Sequence, residues 1–342
     1  MSNSRVTRRQ LLQGAAVTGV AALLRPAVVW ADGDNDERLG PFGPWSDPVN
    51  LGPVVNSPFD DNHPAISKHG LSLYITSNRP GGVNGINTGN FAEIWVSHRA
   101  SLDDPWETPV NLDAFNPVPV LNSRGFNTGI PNFSPDGHLM FFSSVRPGGC
   151  GGADLWVSRR KHTHDDFGWQ EPVNLECTIN SAFDENAPTY FEDEGTGIIT
   201  LYFTSTRPAG VVGTGGFDIY VSALGPDGSF GHAVLVAELS SPSNETRTAI
   251  RRDGLEMFLA SNRPGGVGAS GIGANDIWVS TRETAADSWS TPVNLGRPVN
   301  SEFEDGAPAL AWDGTTMYFY SRRGGSGGRD LYVTTRTKSE QG

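Results

Sequence analysis

Five positions that could do chemistry recur along the 342-residue chain at intervals of about 60: Asp61, Asn127, Glu185, Glu245 and Asp305. Four carboxylates and an amide gathered at one point could coordinate a cation or hydrogen-bond a sugar. If two of the acids held unlike pKa values, they could also cleave a glycosidic bond. For hydrolysis the two carboxyls would stand roughly 5 to 10 Å apart. Asp61, Glu185 and Glu245 are the catalytic candidates, with His63 or Arg247 tuning them. Ca2+ is the cation that such oxygens would suit, although no EF-hand spacing accompanies them, and no other cofactor is expected. The competing reading is structural: acids repeated in every unit share that unit's arginines or cap nearby backbone N–H groups.

Departures from the repeat single out further residues. His63 is a lone histidine in the first copy, Arg124 accompanies the loss of the acid at Asn127, and Arg247 stands where other copies carry His or Ala. With the acids they define an expected ligand-binding set of Asp61, His63, Asn127, Glu185, Glu245, Arg247 and Asp305, with Arg124 facing the same mouth. His162 and His164 fall on the opposite face, and their H-x-H spacing is a weak metal signal.

The elements that must position these residues follow from an internal repeat. WSDPVNL at Trp45 recurs as WETPVNL at Trp106, WQEPVNL at Trp169, FGHAVLV at Phe230 and WSTPVNL at Trp289, at spacings of 61, 63, 61 and 59. Each unit reads as four short strands. An acidic approach leads into the first, and Asp-Gly turns at Asp136, Asp253 and Asp313 mark hairpins. An alternating second strand, a Gly-rich loop, a third strand such as DIWVS and a fourth containing PVNL complete the unit. Four-stranded repeats of this length predict an all-β, five-bladed β-propeller. A sixth WxxPVNL is missing at the end and the first has no unit before it. Ring closure therefore places Trp45–Leu51 as the fourth strand of the last blade, which protects the sheet edges.

The Gly-rich loops run from an Arg to an acid. The expected structural pairs are Arg79 with Glu93, Arg146 with Asp154, Arg207 with Asp218, Arg263 with Asp276, and Arg323 with Asp330, each pinning its loop by a charge-assisted hydrogen bond. No helix follows these loops, so a phosphate cradle is excluded. The G-x-S-x-G match around Ser326 lies between strands and lacks the helix that a nucleophile elbow requires. Cys150 and Cys177 are the two cysteines. They are read as a disulfide in an exported protein, or otherwise as two free thiols.

The stretch FSPDGHLMFFSSVRPGGCGGADLWVSRR, from Phe133 to Arg160, resembles the PD40 (WD40-like, TolB-type) propeller repeat: SPDG, an alternating strand, S-x-R and D-L-W. The resemblance covers nearly the whole chain after residue 31. It implies the propeller fold. Similar repeats occur in translocation proteins, peptidase regulatory domains and polysaccharide lyases, so it implies no single activity.

Residues 1–31 carry Arg8-Arg9, a mild apolar run from Leu11 to Leu24, and Ala31 at a cleavage-like end. They look like a twin-arginine export signal, and a run of about 14 apolar residues falls short of the roughly 20 that span a bilayer. A polar lead-in over 32–44 and one propeller domain over 45–338 complete the expected division. The destination is the periplasm or the exterior, reached already folded, with no membrane span after cleavage. Removing the four arginines of the leader lowers the net charge from −13 to −17, which disfavours nucleic acid as a partner. The primary functional expectation is a monomeric propeller that binds a polar small molecule, a glycan, a cation or a periplasmic protein on its loop-rich face. The alternative is a carbohydrate-active hydrolase using carboxylates at the axial mouth.

Overall fold

The computed structural model describes residues 42–338 except 85–90, 209–215, 268–273 and 325–327. The expected leader, most of the lead-in and Ser326 lie outside the described residues. Twenty strands form five four-stranded antiparallel sheets. In blade one the strands are Asp61–Ile66, Ser72–Ser77, Glu93–His98 and Val110–Asn111. In the last blade the fourth strand is Val49–Asn50, which pairs antiparallel with Asp330–Thr335 in the register Val49↔Val333 and Asn50↔Tyr332. The ring closes through the N-terminal PVNL segment, and the fold is a five-bladed propeller.

Burial follows strand position. Second and third strands are sandwiched between neighbouring blades, so both faces are apolar: Leu73, Tyr74 and Ile75 are consecutive and all fully buried. Fourth strands sit at the rim, where Val49, Val173, Val234 and Val293 turn outward. The core consists of five clusters, one at each blade–blade interface, among them Tyr74, Ile94, Met140, Phe142 and Trp156 between blades one and two. Burial therefore joins each blade to its neighbours rather than to a common centre. The one helix among the described residues is the single turn Glu176–Ile179, and no helix there is long and apolar enough to cross a membrane.

The innermost strand of every blade carries a β-bulge, with register breaks at Asn62/Ala65, Gly129/Asn132, Asn186/Thr189, Glu245/Thr248 and Gly306/Ala309. Four of the bulged residues, His63, Ile130, Ala187 and Ala307, adopt φ between 45 and 60°. An extra residue in the left-handed region kinks the strand and re-aims its neighbours. Here it turns residues toward the ring axis.

Candidate functional site

The expected acidic ring is a set of closed clips. Asp61, Glu185, Glu245 and Asp305 each begin a first strand, in register with Ser77, Ser205, Ser261 and Ser321. All four are fully buried. Each meets the Arg that follows its blade's second strand: Arg79–Asp61 at 2.5 Å, Arg207–Glu185 at 3.0 Å, Arg263–Glu245 at 2.9 Å and Arg323–Asp305 at 2.6 Å. A serine four residues upstream donates both its N–H and its hydroxyl to the same acid, as Ser57 does to Asp61 at 2.6 and 2.8 Å. The catalytic candidates Asp61, Glu185 and Glu245 are thus engaged on every side, and the recurrent acids are architectural.

Blade two shows why. Its register partner of Ser144 is Thr128, not Asn127. Asn127 lies one residue earlier, exposed, and accepts from the Ala92 N–H at 2.8 Å. The clip serine is retained as Ser123, directly after Asn122 as Ser57 follows Asn56, and Arg124 is an exposed extra residue between it and Thr128. With no acid present, Arg146 donates to the Leu121 carbonyl and to Thr128 Oγ1, and burial lowers its pKa to about 10.

The expected loop pairs are corrected on the same ground. Each Arg folds back through the serine of its own strand, as when Arg79 Nε donates to Ser77 Oγ at 3.0 Å, and so faces the first strand rather than the third. The third-strand acids bind the Gly-rich loop and the PVNL asparagine instead. Glu93 accepts from the Val83 and Asn84 amides at 3.0 Å and from Asn111 at 2.5 Å. Asp154 takes the Cys150 amide and Asn174, Asp276 takes the Val267 amide and Asn294, and Asp330 takes Asn50. Asp218 has Leu235 where the other blades have asparagine, and burial raises its pKa. The double glycine of the loop has a steric reason. A Cβ on Gly82 would stand 1.8 Å from the Glu93 carboxylate, and one on Gly149 would stand 1.6 Å from that of Asp154. Beside the second of these loops, Cys150 and Cys177 form a disulfide with Cα atoms 5.6 Å apart.

A further repeated contact involves the marker tryptophans. Arg99, Arg160, Arg282 and Arg336, each just past a third strand, stack on Trp106, Trp169, Trp289 and Trp45 at 4.4, 4.6, 4.1 and 4.5 Å from the ring centroid. Blade three, which lacks the Trp, has Leu224 bridged to Phe230 in the same place.

The large cavity opens on the axis at the opposite face, where first strands end and hairpins turn. It has a volume of about 800 Å³ and is walled by all five blades. Its deepest polar residue is Arg247, the blade-four counterpart of the bulged residues. The side chain is 1 % exposed and spans the axis, donating from Nη2 to the carbonyls of Pro64 and Pro131 at 3.2 and 2.9 Å. Burial lowers its pKa to about 9. His63 lies half-buried, edge-on to Tyr320, and desolvation, then Arg247 and Arg329, push its pKa well below the ordinary histidine range. Arg247 lines the opposite cavity rather than the loop-rich mouth as expected, whereas His63 lies against Tyr320, just before the last Gly-rich loop. That face offers a crevice of about 180 Å³ beside Asp60, Asn62 and Asn127.

On the cavity wall Asp166 gathers groups from two blades. It accepts from Ser72 at 2.5 Å, Tyr74 at 2.5 Å, His98 Nε2 at 2.8 Å and Arg160. Burial pushes the Asp166 carboxyl up, but the hydrogen bonds from His98, Ser72, Tyr74 and Arg160 outweigh it and hold the group far below the ordinary carboxylate range. The same contact raises the pKa of His98, which faces the cavity and is about one-third exposed. From blade three, Glu192 reaches the cavity half-buried, with the Tyr190 hydroxyl 3.3 Å away. His164 also reaches this cavity, its ring 5.6 Å from that of His162. Among the described residues no group of three or more His, Cys, Asp or Glu is placed to hold a metal ion. Asp166, His98 and Glu192 were missed from sequence because they do not recur. The signal available was the opposite one, an acid and a histidine found in one blade only.

No family model matches the chain, the PD40 repeat included, and no curated protein matches it. Solved structures do. The chain superposes on a thermostable family-43 glycoside hydrolase with a TM-score of 0.55 at 15 % identity, covering 86 % of this chain and 94 % of that one. An α-L-arabinofuranosidase from Lactobacillus brevis gives 0.56 at 17 %, covering 86 % and 96 %. A family 117 glycoside hydrolase produced by the marine bacterium Zobellia galactanivorans gives 0.51 at 15 %, covering 88 % and 92 %. At such identities the likeness is one of fold. It nevertheless counts against the primary expectation of a propeller that only binds, since these neighbours are glycoside hydrolases.

Proposed function

We propose that the chain is a glycoside hydrolase whose working site is the axial cavity on the hairpin face. The observation that carries this reading is the gathering, in one cavity of about 800 Å³, of the His98–Asp166 pair and the Glu192 carboxylate. A volume of that size suits a small oligosaccharide. Glu192 is the group we assign to proton exchange with the glycosidic oxygen. Asp166, kept ionised, fixes His98 by a hydrogen bond of 2.8 Å and is a positioning residue. His98 and Glu192 come from non-neighbouring blades and both line the cavity. The fold likeness to glycoside hydrolases supports the reaction class and names no substrate. Export through the twin-arginine leader joins this reading as a proposal, since it would bring the enzyme to extracellular glycans.

The test is turnover of a panel of aryl glycosides and oligosaccharides by the full chain, by Glu192→Gln and by Glu185→Gln. Loss of an acid–base group lowers kcat by about a hundredfold or more. The expected result is that loss for Glu192→Gln and normal turnover per folded molecule for Glu185→Gln. Absence of turnover on every substrate, or an unaffected Glu192→Gln, overturns the assignment.

A further inference from the structure

Arg247 breaks the pattern of its position. At the bulges, the other blades place His63, Ile130, Ala187 and Ala307. Blade four places a guanidinium on the axis, 1 % exposed, at the inner end of the cavity. Among the described residues no carboxylate is paired with it, although every Arg of the four acid clips has one. Nη2 is satisfied by two carbonyls, but Nε and Nη1 have no partner, and neither does the buried Nδ1 of half-buried His63. A buried cation without a counter-charge is among the costliest arrangements in a protein, and unmet buried donors call for an explanation.

Further cationic side chains line the cavity wall. Lys68, Arg99, Arg252 and His69 line it in a chain of net charge −13. Lys68 and Arg252 are held at the rim over the Trp312 ring, 4.6 and 4.9 Å from its centroid. Of the four lining acids, Asp166 is engaged by Arg160 and His98, and Glu194 by Arg252 at 2.6 Å. With the Asp166–Arg160 and Glu194–Arg252 pairs set aside, Lys68, Arg99 and Arg247 stand against Asp136 and Glu192, and Nε and Nη1 of Arg247 are left without partners.

We infer that the cavity receives an oxyanion-bearing sugar, a uronate or a sulfate ester, and that Arg247 takes its charged group through Nε and Nη1. The inference rests on the proposed function for the cavity and the sugar but not for catalysis. Because so little of Arg247 is exposed, the contact is made by a small, dehydrated group entering end-on. Charge-assisted hydrogen bonds in such a site are strong and directional, and a guanidinium matches the geometry of a carboxylate or sulfate.

The experiment is calorimetric titration of the full chain with glucuronate, glucose 6-sulfate and glucose. Hydrogen bonds to a charged group are worth roughly tenfold or more in affinity. The expected result is that at least one of the two anions binds at least tenfold tighter than glucose, with Arg247→Met losing that preference and Arg247→Lys keeping part of it. A preference for the uronate over the sulfate, or the reverse, identifies the source of the oxyanion. Equal binding of all three, binding of none, or a preference retained in folded Arg247→Met overturns the inference. Should Arg247→Met fail to fold, competition on the wild type decides: inorganic sulfate displaces the bound anion if the site is right, and leaves it in place if it is wrong. Arg247-dependent anion binding without any turnover would keep this site and remove the hydrolase. Turnover confined to neutral glycosides, with no anion preference, would do the reverse.

Discussion

Arg79 and Asp61 meet at 2.5 Å between the first two strands of blade one, neither side chain more than 9 % exposed, and three other blades repeat the pair. Removing one partner of such a pair strands a buried charge. Asp61→Ala and Asp305→Ala are each expected to lower the unfolding free energy by about 3 to 5 kcal/mol in denaturant titrations. A loss below about 1 kcal/mol for both would show that the clips are ornamental.

Blade two makes the complementary prediction. Arg146 has only Thr128 Oγ1, 3.3 Å away, where other blades have an acid, and the serine counterpart Ser123 has no acid to cap. Thr128→Asp supplies the missing counter-charge. It is expected to be neutral or stabilising within about 1 kcal/mol, the opposite sign from the acid deletions. Strong destabilisation by Thr128→Asp would mean that the clip cannot be transplanted between blades.

The ring closure is locked by Arg336. Its guanidinium is fully buried, donates to both oxygens of Glu256 at 2.8 and 2.5 Å, and stacks on Phe42 and Trp45 of the N-terminal segment. Arg282 makes the same stack on Trp289 but has no acid among its hydrogen-bond partners in the described residues. Arg336→Ala should therefore cost about 3 to 5 kcal/mol. Arg282→Ala should cost only about 1 kcal/mol, the scale of a cation–π contact and one hydrogen bond. Equal losses, measured by urea unfolding, would deny the N-terminal segment its special role.

The disulfide spans 27 residues, from Cys150 to Cys177. Loop-closure entropy for that span is worth about 3.5 kcal/mol. Cys150→Ser with Cys177→Ser is expected to lower stability on that scale, and reductant should then have no further effect on the double variant. A smaller loss would place the bridge's effect in the reduced chain rather than in the fold.

Much of the fold was legible because it recurs. Four PVNL segments, the FGHAVLV that replaces a fifth and five second strands dictate the blade number, and the closure through Trp45–Leu51 follows from the same repeat. The clip acids were visible for the same reason, but their partners were not. Whether Arg79 meets Glu93 or Asp61 depends on which way the side chain folds after the strand, and that is set by Ser77, two residues earlier. Recurrence also misdirected the search for a site. A property shared by every blade serves the blade, whereas the cavity is built from residues that differ between blades: Lys68, Asp166, Glu192, Arg247 and Trp312. One of these, Arg247, was visible as an exception, but the face it serves was not, because the bulge that turns it along the axis has no sequence signature.

The pH dependence of stability separates two histidines of opposite behaviour. Hydrogen bonding to Asp166 raises the pKa of His98 in the folded state. The stability it contributes is complete below the unfolded histidine pKa of about 6.5, and is lost as pH rises through the higher folded value. Asp166 is held far below its ordinary range, so its own contribution is present above about pH 3.9 and fades only in stronger acid. His63 runs the other way. Burial keeps it neutral when folded, so acidification below about 6.5 protonates the unfolded chain first and lowers stability. The wild-type curve is therefore a sum of opposed slopes, and the informative quantity is its difference from a variant. Urea midpoints measured from pH 4 to 9 should show wild type minus His98→Gln largest between about pH 4 and 6.5 and shrinking at alkaline pH. Wild type minus His63→Leu should instead grow in favour of the variant as pH falls below about 6.5. A His98→Gln difference that is flat across the range would mean that the Asp166 contact does not hold the imidazole charged, and would remove Asp166 as its positioning residue.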